Sequence, residues 1–270
     1  MDFSYFQFDP VAFSLGPFVV RWYALAYMVG FMAGWKYCLR LASRGAETVR
    51  PNPDDVDDFL TWAVIGVLVG GRLGYVFFYQ PAFYASEPME AFKIWKGGMS
   101  FHGGLLGVAV AMLTFSKVRK ISVWRLSDII CAAAPIGLFF GRMANFVNAE
   151  LYGKVTTLPW GIRFPGTTEP RHPSQVYEAI LEGFVLFFIL FFLIRSPKIK
   201  TGVVTGVFLL GYGVFRALVE FVREPDVQIG LVGGFISMGQ ILCLPMIFGG
   251  ATVVHFAMQG KLSNAKKHVE

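Results

Sequence analysis

Seven stretches of the chain run for about the length that a helix needs to cross a hydrocarbon layer, roughly 20 residues. They fall near residues 18–41, 59–79, 99–115, 126–147, 176–194, 202–222 and 235–258. Hydrocarbon offers a backbone amide no partner outside its own segment, so each run is expected to be a membrane-spanning helix. The fourth reaches full length only by including Arg142, and Pro135 should kink it. Two long connections interrupt the pattern. Residues 80–98 carry Phe83, Tyr84 and Trp95, suited to an interfacial belt. Residues 148–175 are rich in Pro and Gly, and Trp160-Gly161-Ile162-Arg163-Phe164 alternates before Pro165 ends it, which predicts a small irregular or β-containing head. The expected fold is therefore an all-α integral membrane protein, a single polytopic domain over 1–270 with the head inserted at 148–175.

Composition agrees with a bilayer: 55% of the 270 residues are hydrophobic and 16% charged, against about 45–50% apolar in a soluble domain. The net charge of +6 does not point to nucleic acid, because Lys and Arg sit in short clusters between the apolar runs. With seven spans, thirteen of them (Arg40, Arg44, Arg50, Lys117, Arg119, Lys120, Arg125, Arg195, Lys198, Lys200, Lys261, Lys266, Lys267) fall on one side. Six (Lys93, Lys96, Lys154, Arg163, Arg171, Arg223) fall on the other. The asymmetry predicts a cytoplasmic C-terminus and an outer N-terminus. Residues 1–10 hold no basic stretch, so the first span is expected to stay rather than be cleaved as a signal. Cys38, Cys131 and Cys243 lie in separate runs with no CxxC pair or nearby His at ligand spacing, and they are expected to face lipid or to serve packing.

Candidate chemistry gathers toward the outer side. An Arg near the bilayer centre costs from about 2.5 to more than 10 kcal/mol, so Arg142 is expected to face protein, water or an anion. Asn145 shares its helical face, and Glu150 lies just past the span. In the sixth run Tyr212, Arg216, Glu220 and Arg223 follow at spacings of four, four and three, on one face. They could form an internal ion-pair ladder. One Glu for two Arg leaves a positive charge over, which favours an anion site, and the guanidinium fork suits phosphate. His102, at the outer start of the third run, could accept a proton near pH 7. The segment from Arg171 to Glu178 is expected to build a helix start capped by Ser174. Arg72 is read as a chance echo of Arg142, and Arg21, beside Trp22 and Tyr23, as a headgroup anchor. No Walker loop, HExxH, GxSxG or paired-Asp motif occurs, so no metal or cofactor is expected.

Gly141-Arg142-x-Ala144-Asn145-Phe146-x-Asn148-x-Glu150-x-x-Gly153 resembles the signature of the bacterial prolipoprotein diacylglyceryl transferases. The likeness continues in Trp22-Tyr23, Gly71-Arg72-Leu73-Gly74-Tyr75, His102-Gly103-Gly104-Leu105 and His172-Pro173-Ser174-Gln175 with Tyr177-Glu178. It runs on through Phe215-Arg216, Glu220, Arg223-x-Pro225-Asp226 and Ser237-Met238-Gly239-Gln240. One departure is Ala144, where glycine is usual. The resemblance implies a seven-span protein of the bacterial inner membrane with its active site toward the extracytoplasmic side. Such a protein moves a diacylglyceryl group from phosphatidylglycerol to the lipobox cysteine of a prolipoprotein and releases glycerol phosphate. It further implies that Arg142 and Arg216 bind the phosphate and that Tyr23, Asn145, Glu150, Gly153, Glu220 and Arg223 belong to the lipid site. His102 and Tyr212 match residues proposed for catalysis, with the choice of base left open between them. Glu150 and Glu220 are expected to orient the arginines. A lipid or anion transporter using the same arginine cluster is the alternative.

Overall fold

A computed structural model describes residues 9–16, 18–44, 50–224, 231–232 and 236–262. The long apolar runs close into helices, and among the described residues six are long and apolar enough to cross a membrane: α2 (Pro53–Phe78), α4 (Phe101–Val118), α5 (Val123–Val147), α6 (Ser174–Leu193), α7 (Val203–Glu220) and the Gly239–Met258 part of α8 (Met238–Met258). α1 (Trp22–Ala42) is a further helix outside that six, and α3 (Pro81–Ser86) is a short one. Large apolar side chains point outward from several of them. Phe184, Phe192 and Phe248 are 55%, 67% and 68% exposed, surface that suits lipid rather than water.

The chain divides into two units, one built from Cys38–Ile129 and one from Met1–Tyr37 with Ile130–Glu270. In the first, α2 and α4 pack backbone to backbone. A Cβ on Gly70 would lie 2.7 Å from the Gly107 Cα, and one on Gly74 would lie 2.8 Å from the Gly103 Cα, the close approach that small residues allow between membrane helices. A reciprocal box starts α2: the Asn52 side chain accepts from the Asp55 amide and Asp55 accepts from the Asn52 amide. Arg72 has a structural task of its own, unlike that of Arg142. Its guanidinium, 6% exposed, donates to the carbonyls of Glu90, Ala91, Gly97 and Gly98 at 2.6, 2.7, 2.5 and 3.1 Å. It thereby fixes the two short 3-10 turns Pro88–Phe92 and Ile94–Lys96, whose Phe92 and Trp95 are exposed.

The second unit opens with a hairpin, β1 (Val11–Leu15) against β2 (Phe18–Arg21), antiparallel, with Leu15 opposite Phe18. The first apolar run thus begins as a strand, because β-branched Val19 and Val20 find a partner in β1, and turns helical only at Trp22. α5 passes through Pro135 as one continuous helix. α6 holds a π segment, Ala179–Val185, at its centre, which periodicity did not predict. α8 starts on a Ser237–Gln240 capping box and packs along α7. The head is irregular, held by bridges of Gly153 with Arg223 and of Val155 and Ile162 with Arg171. Residue 235, the expected start of the last span, and Pro225-Asp226 lie outside the described residues.

Candidate active site

Three arginines and three glutamates from α5, α6 and the end of α7 share one buried cluster. Glu178, with no exposed surface, is its hub. One carboxylate oxygen meets Arg142 Nε at 3.1 Å; the other pairs with Arg216 and, at 3.1 Å, with Arg223. Glu220 takes Arg216 at 2.9 Å and Arg223 Nε at 3.2 Å. Glu182, also unexposed, lies 3.8 Å from Arg142. The helical spacing read along α7 is therefore correct, and Arg142 and Arg216 do converge. The charge count differs, because Glu178 and Glu182 on α6 balance guanidinium groups that α7 alone leaves in excess. Arg142 and Arg216 each keep some open surface, 19% and 16% of the side chain.

Glu220 is held in turn by the start of α8, where the Ser237 hydroxyl donates to it at 3.0 Å. A Cβ on Gly239 would lie 2.7 Å from the Glu220 carboxyl carbon, so only glycine leaves room for this carboxylate. Tyr212, one turn before Arg216, stacks on Phe208 and lies within electrostatic reach of Glu182 and Arg142.

Beyond Val147 the chain reverses through Ala149 and Leu151, both left-handed at φ 54° and 58°, a conformation costing a non-glycine residue about 1–2 kcal/mol. The reversal is secured where the Glu150 amide donates to the Asn145 carbonyl at 3.0 Å. It turns the Glu150 carboxylate back onto Asn145, whose Nδ2 donates to it at 2.7 Å. Glu150 was expected to orient an arginine; its partner is this amide, and the arginines are held from α6 and α7. A groove of about 540 Å³ has Val19, Arg21, Tyr23, Asn148 and Glu150 among its walls. Tyr23 donates its hydroxyl proton to Tyr27 across 3.2 Å. Ala144 is 1% exposed, so the methyl group that replaces the usual glycine is accommodated inside the packing.

The head is tied to the arginine helices by its main chain. Gly153 N–H donates to the His172 carbonyl at 2.8 Å, Lys154 N–H to Val222 at 2.9 Å, and Gln175 Nε2 to the Glu150 carbonyl at 2.6 Å. Ser174, expected to cap α6, donates instead to the Leu151 carbonyl at 3.0 Å. Burial, and after it the Lys154 ammonium, push the His172 imidazole below its usual range, so it is neutral at pH 7 while its Nδ1 meets the Tyr177 hydroxyl at 3.3 Å. A Cβ on Gly153 would fall on the Val222 carbonyl oxygen and 2.9 Å from the His172 Cβ. Gly153→Ala should therefore lower stability by about 1–3 kcal/mol, the usual range for overpacking, read as a lower thermal midpoint in detergent; an unchanged midpoint would show that the head does not need this contact.

His102 belongs to the other unit, where it is exposed in the first turn of α4 with its ring 5.6 Å from that of Phe101. Sequence reasoning underrated Glu178 and passed over Glu182. The available signal was their presence in an apolar run, where an ionisable residue is costly unless it is paired or functional.

A family profile described as prolipoprotein diacylglyceryl transferase matches residues 10–256. The chain is 53% identical to the phosphatidylglycerol-prolipoprotein diacylglyceryl transferase of Azospirillum brasilense over 251 residues, 91% of this chain and 93% of that protein. It is 52% identical to the protein of the same description from Rhodospirillum centenum, over 91% of this chain and 90% of the other. A third, from Methylocella silvestris, is 49% identical over 94% and 95%. These matches run from the hairpin through the arginine cluster to α8, and on that extent and identity this multi-pass membrane chain belongs to the prolipoprotein diacylglyceryl transferase family.

Proposed function

We propose that the chain transfers the diacylglyceryl group of phosphatidylglycerol to the lipobox cysteine thiol of a prolipoprotein, forming a thioether and releasing glycerol phosphate. The observation that carries this reading is the meeting of Arg142 and Arg216 on Glu178, in a chain about half identical to transferases of that name. The two guanidinium groups clamp the lipid phosphate and stabilise charge on it as it leaves. The thiol S–H bond breaks and a base takes the proton. Sulfur then bonds to the glycerol carbon, and the C–O bond breaks with its electron pair going to the phosphate oxygen. A free thiol is only a few per cent ionised at pH 7, so the base matters. Asn145, Glu150, Tyr23 and Gly153 shape the approach of the lipid headgroup; Glu220 and Arg223 keep Arg216 in position.

α1 serves as the seventh span, with the N-terminus outside and the C-terminus in the cytoplasm; the thirteen-to-six split of basic residues supports this. The cluster then lies toward the extracytoplasmic side of the bacterial inner membrane. Incubating the purified chain with phosphatidylglycerol and a lipobox peptide tests the reading. Lipid-modified peptide supports it, whereas lipid flux across vesicles without modification supports a transporter. His102 and Tyr212 are the two candidates for the base. His102→Gln should slow transfer several-fold and move the pH-rate profile upward; an unchanged profile would pass the role to Tyr212.

A further inference from the structure

The cluster contains three guanidinium groups, those of Arg142, Arg216 and Arg223, and three carboxylates, those of Glu178, Glu182 and Glu220. Fully ionised, it carries no net charge. A phosphodiester brings one negative charge, and an uncompensated charge taken from water into a buried site is costly. The carboxylates are not held equally. Glu178 meets three guanidinium groups, and Glu220 meets two and the Ser237 hydroxyl. Among the described residues Glu182 has only the Arg142 guanidinium at 3.8 Å, and neither of its buried carboxylate oxygens has a hydrogen-bond partner there. It also sits within the π segment of α6, a distortion that costs regular helix geometry and recurs at functional sites.

We propose that Glu182 is the charge-matching residue of the phosphate site: it takes up one proton when a phosphodiester enters between Arg142 and Arg216, and returns it when glycerol phosphate leaves. This rests on the reading of those arginines as the phosphate site. Neutralising Glu182 leaves three guanidinium groups against two carboxylates and one phosphate, so the occupied cluster is again neutral. The groups facing Glu182 are Arg142 on α5, Glu178 on its own helix, Tyr212, Arg216 and Arg223 on or just past α7, and Cys243 on α8. Among them it is the carboxyl that a proton costs least, since protonation breaks no hydrogen bond there. Glu182 acts through the charge of Arg142, as a positioning residue rather than a group attacking the lipid.

The sign follows from linkage: a complex that binds more protons than the free protein weakens as pH rises, by up to tenfold per unit for one proton. The test is binding of phosphatidylglycerol to the purified full chain in detergent from pH 5.5 to 9, with diacylglycerol, which has no phosphate, as control ligand. Wild type should lose affinity toward high pH and take up about one proton per lipid bound in weak buffer. Glu182→Gln should hold the low-pH affinity across the range without proton uptake, and diacylglycerol binding should not vary with pH. A flat wild-type profile with no uptake overturns the proposal, as does a Glu182→Gln profile that falls like wild type. Should the variant fail to fold, proton uptake by wild type decides alone. Arg216→Ala should bind phosphatidylglycerol weakly at every pH; if it binds as wild type, the phosphate-site reading itself is what fails.

Discussion

Replacing Glu178 by Ala is expected to lower the free energy of unfolding by about 3–5 kcal/mol, the range found when one partner of a buried ion pair is removed, and to abolish transfer. The reason is specific to its position. Glu178 is fully buried and touches guanidinium groups from two helices, so its loss leaves Arg142, Arg216 and Arg223 facing one another with two carboxylates, only one of which, on Glu220, makes close contacts. Thermal unfolding in detergent measures the first effect and thioether formation on a lipobox peptide the second. Glu178→Asp separates charge from reach: it keeps the carboxylate but retracts it by one methylene, so it should recover more stability than activity. A stable, active Glu178→Ala protein would show that the cluster is not organised around this residue.

Arg142→Ala and Arg216→Ala should each reduce the transfer rate by at least about 10²–10³-fold, the loss seen when a donor to a developing negative charge is removed. Arg216→Lys is the sharper variant. Its ammonium preserves the charge but cannot span Glu178 and Glu220 as the guanidinium does, at 2.9 Å to the latter. If geometry matters as well as charge, Lys should remain at least tenfold below wild type. Arg142 presents Nε to Glu178 at 3.1 Å and its NH2 nitrogen toward Glu182, so Arg142→Lys should behave alike. Full activity in either Ala variant would remove that arginine from the phosphate site.

Sequence periodicity revealed much of this architecture for an identifiable reason. In hydrocarbon a helix is the solution for an isolated apolar run, and Arg216, Glu220 and Arg223 lie within or one turn past the end of α7, where spacing alone sets their shared face. Arg142 could be marked for a partner because its cost in an apolar run is visible without coordinates. What spacing could not give was the identity of that partner. Glu178 lies 38 residues before Arg216, beside a Pro-Ser-Gln stretch that reads equally well as a helix start. Strand β2 was missed because its apolar Phe18, Val19 and Val20 lead straight into the apolar start of α1, so the two read as one run. Likewise the role of Gly239 depends on a carboxylate from a different helix, and that of Arg72 on carbonyls from a turn 18–26 residues away.

The main-chain bonds that join Gly153 and Lys154 to His172 and Val222 make the head an extension of the α7 terminus rather than a separate flap. Pulling on residues 150–154 would drag Arg223 and with it the Glu178 junction. The turn at Pro165–Gly166 is different, since both residues are exposed and, with Gly166 at φ 82°, it is Pro165 that has the room and the backbone to carry a substituent. A spectroscopic label attached there would ride on the head and report rearrangements of the charged cluster from outside it, while leaving the chemistry undisturbed.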